Sequence, residues 1–238
     1  MNYSLNLELT FRLSAPELPT IESEYHRLWQ FANALQVAGF PIDGWFPPAD
    51  NVKASLLNRA FDSSGPTTAA IAMARAERQA YPHVRSLGAW NGIEGNGGAA
   101  FTDQLSVNGL CVLSLQTKGV MSLAKCDVVA DIVTEATHIW PALSVEVGSF
   151  RYSSEYRVFE KRPGAGWMLY LPRVLTAAQV PEARDLIPVM DGKRQRGTII
   201  VSVIDEPFSA TNKEHVAVAN AIEKRLVDQD LLPLYTEL

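Results

Sequence analysis

The chain has 238 residues, 47% of them apolar and 20% charged, with a net charge of −5 and a pI near 5.4. That balance excludes a disordered chain, and the length is sufficient to bury a core. It also argues against a free nucleic acid partner, because such binding needs clustered Lys and Arg.

In chain order, Leu5, Leu7, Leu9, Phe11 and Leu13 alternate with Asn6, Glu8, Thr10 and Arg12, which predicts a strand with one buried face. Pro16 and Pro19 break it. Over residues 20–38, Ile21, Tyr25, Leu28, Ala32 and Leu35 recur at helical spacing, and Gly39 and Pro41 supply the stop. A proline-rich connection over residues 41–51 carries Trp45 and Phe46, and a short helix capped by Asp50 or Asn51 follows. Another helix starts with Pro66 at its first position and ends at Pro82. VRSLGAW reads as a strand running into the glycine-rich GAWNGIEGNGG, residues 88–98. QLSVNGLCVLSLQ reads as the next strand. A helix over 122–138 presents Cys126, Val129, Ala130, Val133 and Thr137 on one face. ALSVEVGSF alternates, with Leu143, Val145 and Val147 against Ser144, Glu146 and Gly148; GWMLYLP is a short apolar strand; residues 175–190 carry mixed signals. GTIIVSVI, residues 197–204, predicts a strand buried on both faces. The last helix starts at Thr211, where Thr211 and Glu214 have capping-box spacing, and it buries Val216, Ala219, Ile222 and Leu226. Glu223, one position round, falls on its exposed side.

No linker or composition change divides the chain, so residues 1–238 read as one domain. The pattern predicts an α+β fold, a mixed and mostly antiparallel sheet with amphipathic helices mainly on one face. A doubly wound α/β fold is the runner-up. The first residues lack the basic start and unbroken apolar core of a secretory signal, and no apolar run is long enough to span a membrane. The expected location is therefore the cytoplasm, with no membrane partner.

Little in the chain points to chemistry. Gly95, Gly97 and Ala100 formally fit a dinucleotide-binding pattern, but a strand-like segment follows where that mechanism needs a helix N-terminus. His26, His83, His138 and His215 lie far apart, without a second ligand at metal spacing, and the two cysteines, Cys111 and Cys126, read as buried free thiols. Asp127, Asp131 and Glu135 form a solvated helical stripe, and Lys193, Arg194 and Arg196 a solvated turn. No catalytic set, metal site or cofactor site is predicted. That favours a binding protein; the alternative is a small-molecule-binding or enzymatic α+β protein with a pocket near Trp45 and Trp90.

GTIIVSV followed by EPFSATNKEHVAVANAIEKRLVDQDLLP resembles the end of the immunity protein 52 family of bacterial polymorphic-toxin systems, and Trp90 and Gly92 of GAWNG match a W-x-G element of that family. The resemblance implies an immunity protein, not an enzyme, that binds and neutralises a cognate toxin. That toxin is typically a nuclease with a restriction-endonuclease-like domain, delivered between competing bacteria, with type VI secretion the expected route. Self-association stays open. On this reading Trp90 anchors the end of a strand, Gly92 permits a turn, and the glycine run is backbone geometry rather than a ligand cradle. Two acidic loops beside tryptophans are the candidate toxin-binding surface, through Trp45, Asp50, Trp90, Glu94 and Asp103.

Overall fold

The computed structural model describes residues 3–76 and 82–238. Its strands and helices are β1 (Ser4–Phe11), α1 (Ile21–Ala34), α2 (Val52–Ser55), β2 (Phe61–Asp62), β3 (Gly65–Pro66), α3 (Thr68–Ala76), β4 (Val84–Trp90), β5 (Ala99–Ser106), β6 (Cys111–Lys118), α4 (Cys126–Ile139), β7 (Ser144–Gly148), α5 (Phe150–Glu155), β8 (Met168–Leu171), β9 (Asp185–Asp191), β10 (Arg194–Val201) and α6 (Lys213–Asp228). Eight strands form one sheet in the order β4-β5-β6-β1-β7-β8-β10-β9, and every ladder in it is antiparallel. The α+β expectation holds and the doubly wound alternative does not, since a doubly wound sheet is built from parallel crossovers.

The alternation along β1 sets the layers. Leu5, Leu7, Leu9 and Phe11 are buried, while Asn6 and Glu8 on the opposite face reach solvent. β5 and β6 repeat this pattern. Helices α1 and α4 pack together over the buried face, where Phe31 of α1 meets Phe101 of β5 and Trp140 at the end of α4 edge to face. One-sided packing stops at β8. All four of its residues are buried, as are the last five of β10, so both faces are covered there. The C-terminal segment contributes to this second cover: Ala219, Ile222 and Leu226 of α6 join the core, and Glu223 is bonded to Ala165 just before β8.

Several elements differ locally from the sequence expectation. QLSVNGLCVLSLQ is a hairpin, β5 turning at Val107–Leu110 into β6, and Asn108-Gly109 is the dipeptide that favours such a turn. Pro66 sits in a two-residue bridge, and α3 is capped by Thr67, whose Oγ1 accepts from Ala70 N at 3.1 Å. The expected end of this helix lies partly in residues 77–81, outside the described residues. Asn212, not Thr211, caps α6 by accepting from Glu214 N. Cys111 is buried, but Cys126 is only half-buried. Glu223 is fully buried rather than solvated, because loop amides far away in sequence converge on it.

Candidate functional site

GAWNGIEGNGG closes the β4–β5 hairpin, and Asn91 organises its turn. The Asn91 side chain donates to Gly97 O at 2.8 Å and accepts from Ala99 N at 3.0 Å and Ile93 N at 3.3 Å. Gly92, Gly95 and Gly97 all have φ between 73° and 88°, a region that disfavours side chains. Gly97 N and Lys118 O then lock the turn to the end of β6 at 2.7 Å. The amides of Ile93, Gly97, Gly98 and Ala99 are thus engaged in the turn, and β5 follows as a strand where a phosphate cradle needs a helix N-terminus. The glycines here serve backbone geometry.

Trp90 and Trp45 tie the proline-rich connection to this hairpin. Phe46 and Trp90 exchange backbone hydrogen bonds at 2.8 and 3.0 Å. The half-buried Trp90 donates its indole N–H to Ser55 Oγ at 2.7 Å, and Ser55 donates to Pro47 O at 2.6 Å. Trp45 is fully buried, with ring centroids 4.6 Å from Phe101 and 5.3 Å from Phe40. The two expected loops therefore adjoin. Asp50 and Glu94 are exposed on them, and Leu57 and Ile93 add exposed apolar surface nearby.

Two of the five sequence candidates are not surface groups. Trp45 is a core anchor. Asp103 belongs to β5, not to the glycine loop, and its side chain is fully buried. The reason is register: Phe101, Asp103 and Leu105 alternate onto the covered face. There Trp140 Nε1 donates to Asp103 Oδ2 at 3.2 Å. Glu24 of α1 lies in the same interior, 2.9 Å from Arg85 Nε. Burial raises the Glu24 carboxyl to about 8 and the Asp103 carboxyl to about 6, and their mutual repulsion adds to the rise at Glu24.

The uncovered half of the sheet carries two concave surfaces. One shallow groove of about 610 Å³ runs over Asn6, Trp90, Ile93, Ala100, Gln116 and Phe150. A second, more enclosed cavity of about 320 Å³ adjoins it, shares Asn6 and Phe150 with it, and reaches Glu8, Glu146, Arg157 and Tyr235. Beneath the second cavity lies a polar network that sequence reasoning missed. Glu146 accepts from Tyr235 Oη at 2.5 Å and Gly164 N at 2.7 Å, with Arg157 Nη1 at 3.4 Å. Glu223 accepts from Tyr152 Oη at 2.6 Å, Val158 N at 2.8 Å and Ala165 N at 2.9 Å. Burial lifts Glu146 to about 7, against the lowering effect of those donors. Gly164 fits between the two carboxylates: a Cβ there would stand 2.9 Å from Arg157 Cδ and 3.4 Å from each glutamate oxygen. This network clamps residues 157–165 and Tyr235 onto the sheet.

The cavity beside Trp45, about 300 Å³, is lined without a charged side chain. Among the described residues, no cluster of His, Cys, Asp and Glu could hold a metal, and no helix is long and apolar enough to cross a membrane.

An antiparallel sheet with one open, groove-bearing half and acidic loops at its rim suits a protein that binds another macromolecule. The chain belongs to the immunity protein 52 family, whose profile matches residues 20–234. Among solved structures it resembles a Pseudomonas aeruginosa T6SS protein, PA0821, at 12% identity and a TM-score of 0.51, over 93% of this chain and 73% of that one. At that identity the likeness is one of fold. The comparison with curated proteins found no match.

Proposed function

We propose that this chain, acting as one domain in the cytoplasm, binds a cognate toxin and blocks it, and that the toxin is a nuclease used in competition between bacteria. Membership of the immunity protein 52 family is the observation that carries this reading. The net charge of −5 adds to it, since a nuclease presents a basic surface to its substrate and an acidic inhibitor is attracted to that surface. The contact surface comprises Asp50 and Glu94 on the adjoining loops, the half-buried Trp90 between them, and the open sheet face alongside. Trp45 and Asp103 act from beneath, by holding that surface in place. No residue is assigned to catalysis, a cofactor or a metal, and neither nucleic acid nor membrane is a direct partner.

The test is co-expression with the toxin encoded beside the chain's own gene. The expected result is rescue of growth, a stable one-to-one complex, and loss of DNA cleavage in a purified assay. Cleavage that continues at saturating immunity protein would sink the reading.

A further inference from the structure

The enclosed cavity on the open sheet face has features that packing alone does not demand. Glu8 of β1 and Glu146 of β7 are direct cross-strand partners on that face, and like charges placed so oppose each other. Among the described residues, Arg157 is the one cation lining the cavity against these two carboxylates, and its Nη1 is shared among Glu146, Tyr235 Oη and the Arg162 carbonyl. Lys118, which lines the neighbouring groove, pairs with Ser4, four residues along β1 from Glu8. Arg157 is engaged by Glu146, so Glu8 is left without a cation among the described residues lining the cavity, and negative charge sits at the Glu8 end. Its rim holds Phe150, 73% exposed although it is the first residue of α5 and sits between the two grooves.

We propose that this cavity is the receptor for an arginine side chain of the partner, held between the Glu8 and Glu146 carboxylates and the Phe150 ring. A guanidinium is planar, always charged, donates to two acceptors at once and stacks on aromatic faces, so it matches all three walls. An aliphatic side chain would leave Glu8 without a counter-charge, and an acidic one would be repelled. Glu146 is fixed by its donors beforehand, so little ordering accompanies binding. The inference rests on the toxin-binding reading for the identity of the partner, but not for the existence of the site.

The experiment has two arms. In the first, L-arginine amide is titrated into the isotope-labelled free protein. Saturable shifts are expected at the amides of Asn6, Glu8 and Gly164, and they should vanish in Glu8→Lys, an exposed position where the fold is kept. Absent shifts, or equal shifts in Glu8→Lys, would overturn the site. In the second, Glu8→Lys and Phe150→Ala are each tested against the toxin. The expected loss of affinity is at least tenfold for Phe150→Ala and more for Glu8→Lys, with unchanged melting temperatures. Wild-type affinity in both variants would overturn the docking role. A wild-type chain that binds no toxin would instead remove the immunity reading and leave the first arm to judge the site.

Discussion

A carboxylate taken out of water costs several kcal/mol unless donors replace the lost hydration. Glu223 has three such donors, two of them backbone amides from a loop about sixty residues earlier. Its removal would strand the amides of Val158 and Ala165 and leave Tyr152 Oη with Asn220 Oδ1 alone as partner. Glu223→Ala is therefore expected to lower stability by about 3 kcal/mol, and Glu223→Gln by less, because the carboxamide keeps one acceptor. Urea unfolding would check this; a change within about 0.5 kcal/mol, usual for surface positions, would show the network to be incidental. Ile222→Asp, one residue earlier and fully buried, is expected to leave the protein unfolded or insoluble. Asp103 gives a prediction of opposite sense. Its folded-state carboxyl sits near 6, above its ordinary 3.8, so the folded protein holds more protons than the unfolded chain between those values. Stability then falls as pH rises from about 4 to 6, and Glu24, near 8 against 4.5, extends the fall toward 8. Asp103→Asn removes the charge and is expected to stabilise the protein at pH 7, by at most roughly 3 kcal/mol from a two-unit shift, and to flatten the melting temperature between pH 4 and 6. An unchanged slope would mean that Asp103 is not the titrating group.

The elements that read clearly from sequence are those whose period is long and undisturbed: β1, α1, α4, β10 and α6. The buried face of β1 and the apolar stripes of the helices follow from that period, whereas β10 is a continuous buried run and Glu223 of α6 is buried outside its stripe. The β5–β6 hairpin was legible in principle, since Asn108-Gly109 sits between two alternating runs, and a strand begun at Ala99 would also have placed Asp103 inside. α5 is six residues long and gives no period. The burial of Glu223 and Glu146 has no local signal, because their donors come from distant loops. The candidate loops were legible as loops only as far as Gly98, where β5 begins, and their adjacency depends on the Phe46–Trp90 bridge, which no spacing encodes. The turn of the β4–β5 hairpin offers a test at this scale. A Cβ on Gly92, at φ +73°, would approach Leu56 Cδ2 to 3.0 Å and Phe46 Cε2 to 3.1 Å. Gly92→Ala is expected to cost about 1–2 kcal/mol through backbone strain and crowding, and to loosen the Trp90–Ser55 contact that fixes α2. Tryptophan fluorescence and thermal melting would read both effects; a wild-type melting temperature would show that the turn tolerates a side chain.

At the scale of the whole molecule, fold and recognition are carried by different charges. The carboxylates Glu24, Asp103 and Glu223 are buried within the fold, whereas Asp50 and Glu94 stand in solvent on loops anchored by Trp45 and Trp90. That division makes the binding surface open to charge reversal without loss of fold. Asp50→Lys combined with Glu94→Lys changes the net charge from −5 to −1, each replacement adding two units, and leaves the hydrogen bonds of Asn51, Asn91 and Trp90 in place. The melting temperature should be unchanged. If the loops face a basic nuclease surface, the toxin's association rate should fall by tenfold or more at low salt, and the wild-type rate should itself decline as ionic strength rises from about 0.01 to 0.15 M, over which the screening length shrinks from about 30 to 8 Å. Stopped-flow association at these two ionic strengths measures both. A double variant that folds, associates at the wild-type rate and shows the same salt dependence would remove the loops from the interface. If the sheet-face variants were still impaired, the open face alone would carry recognition.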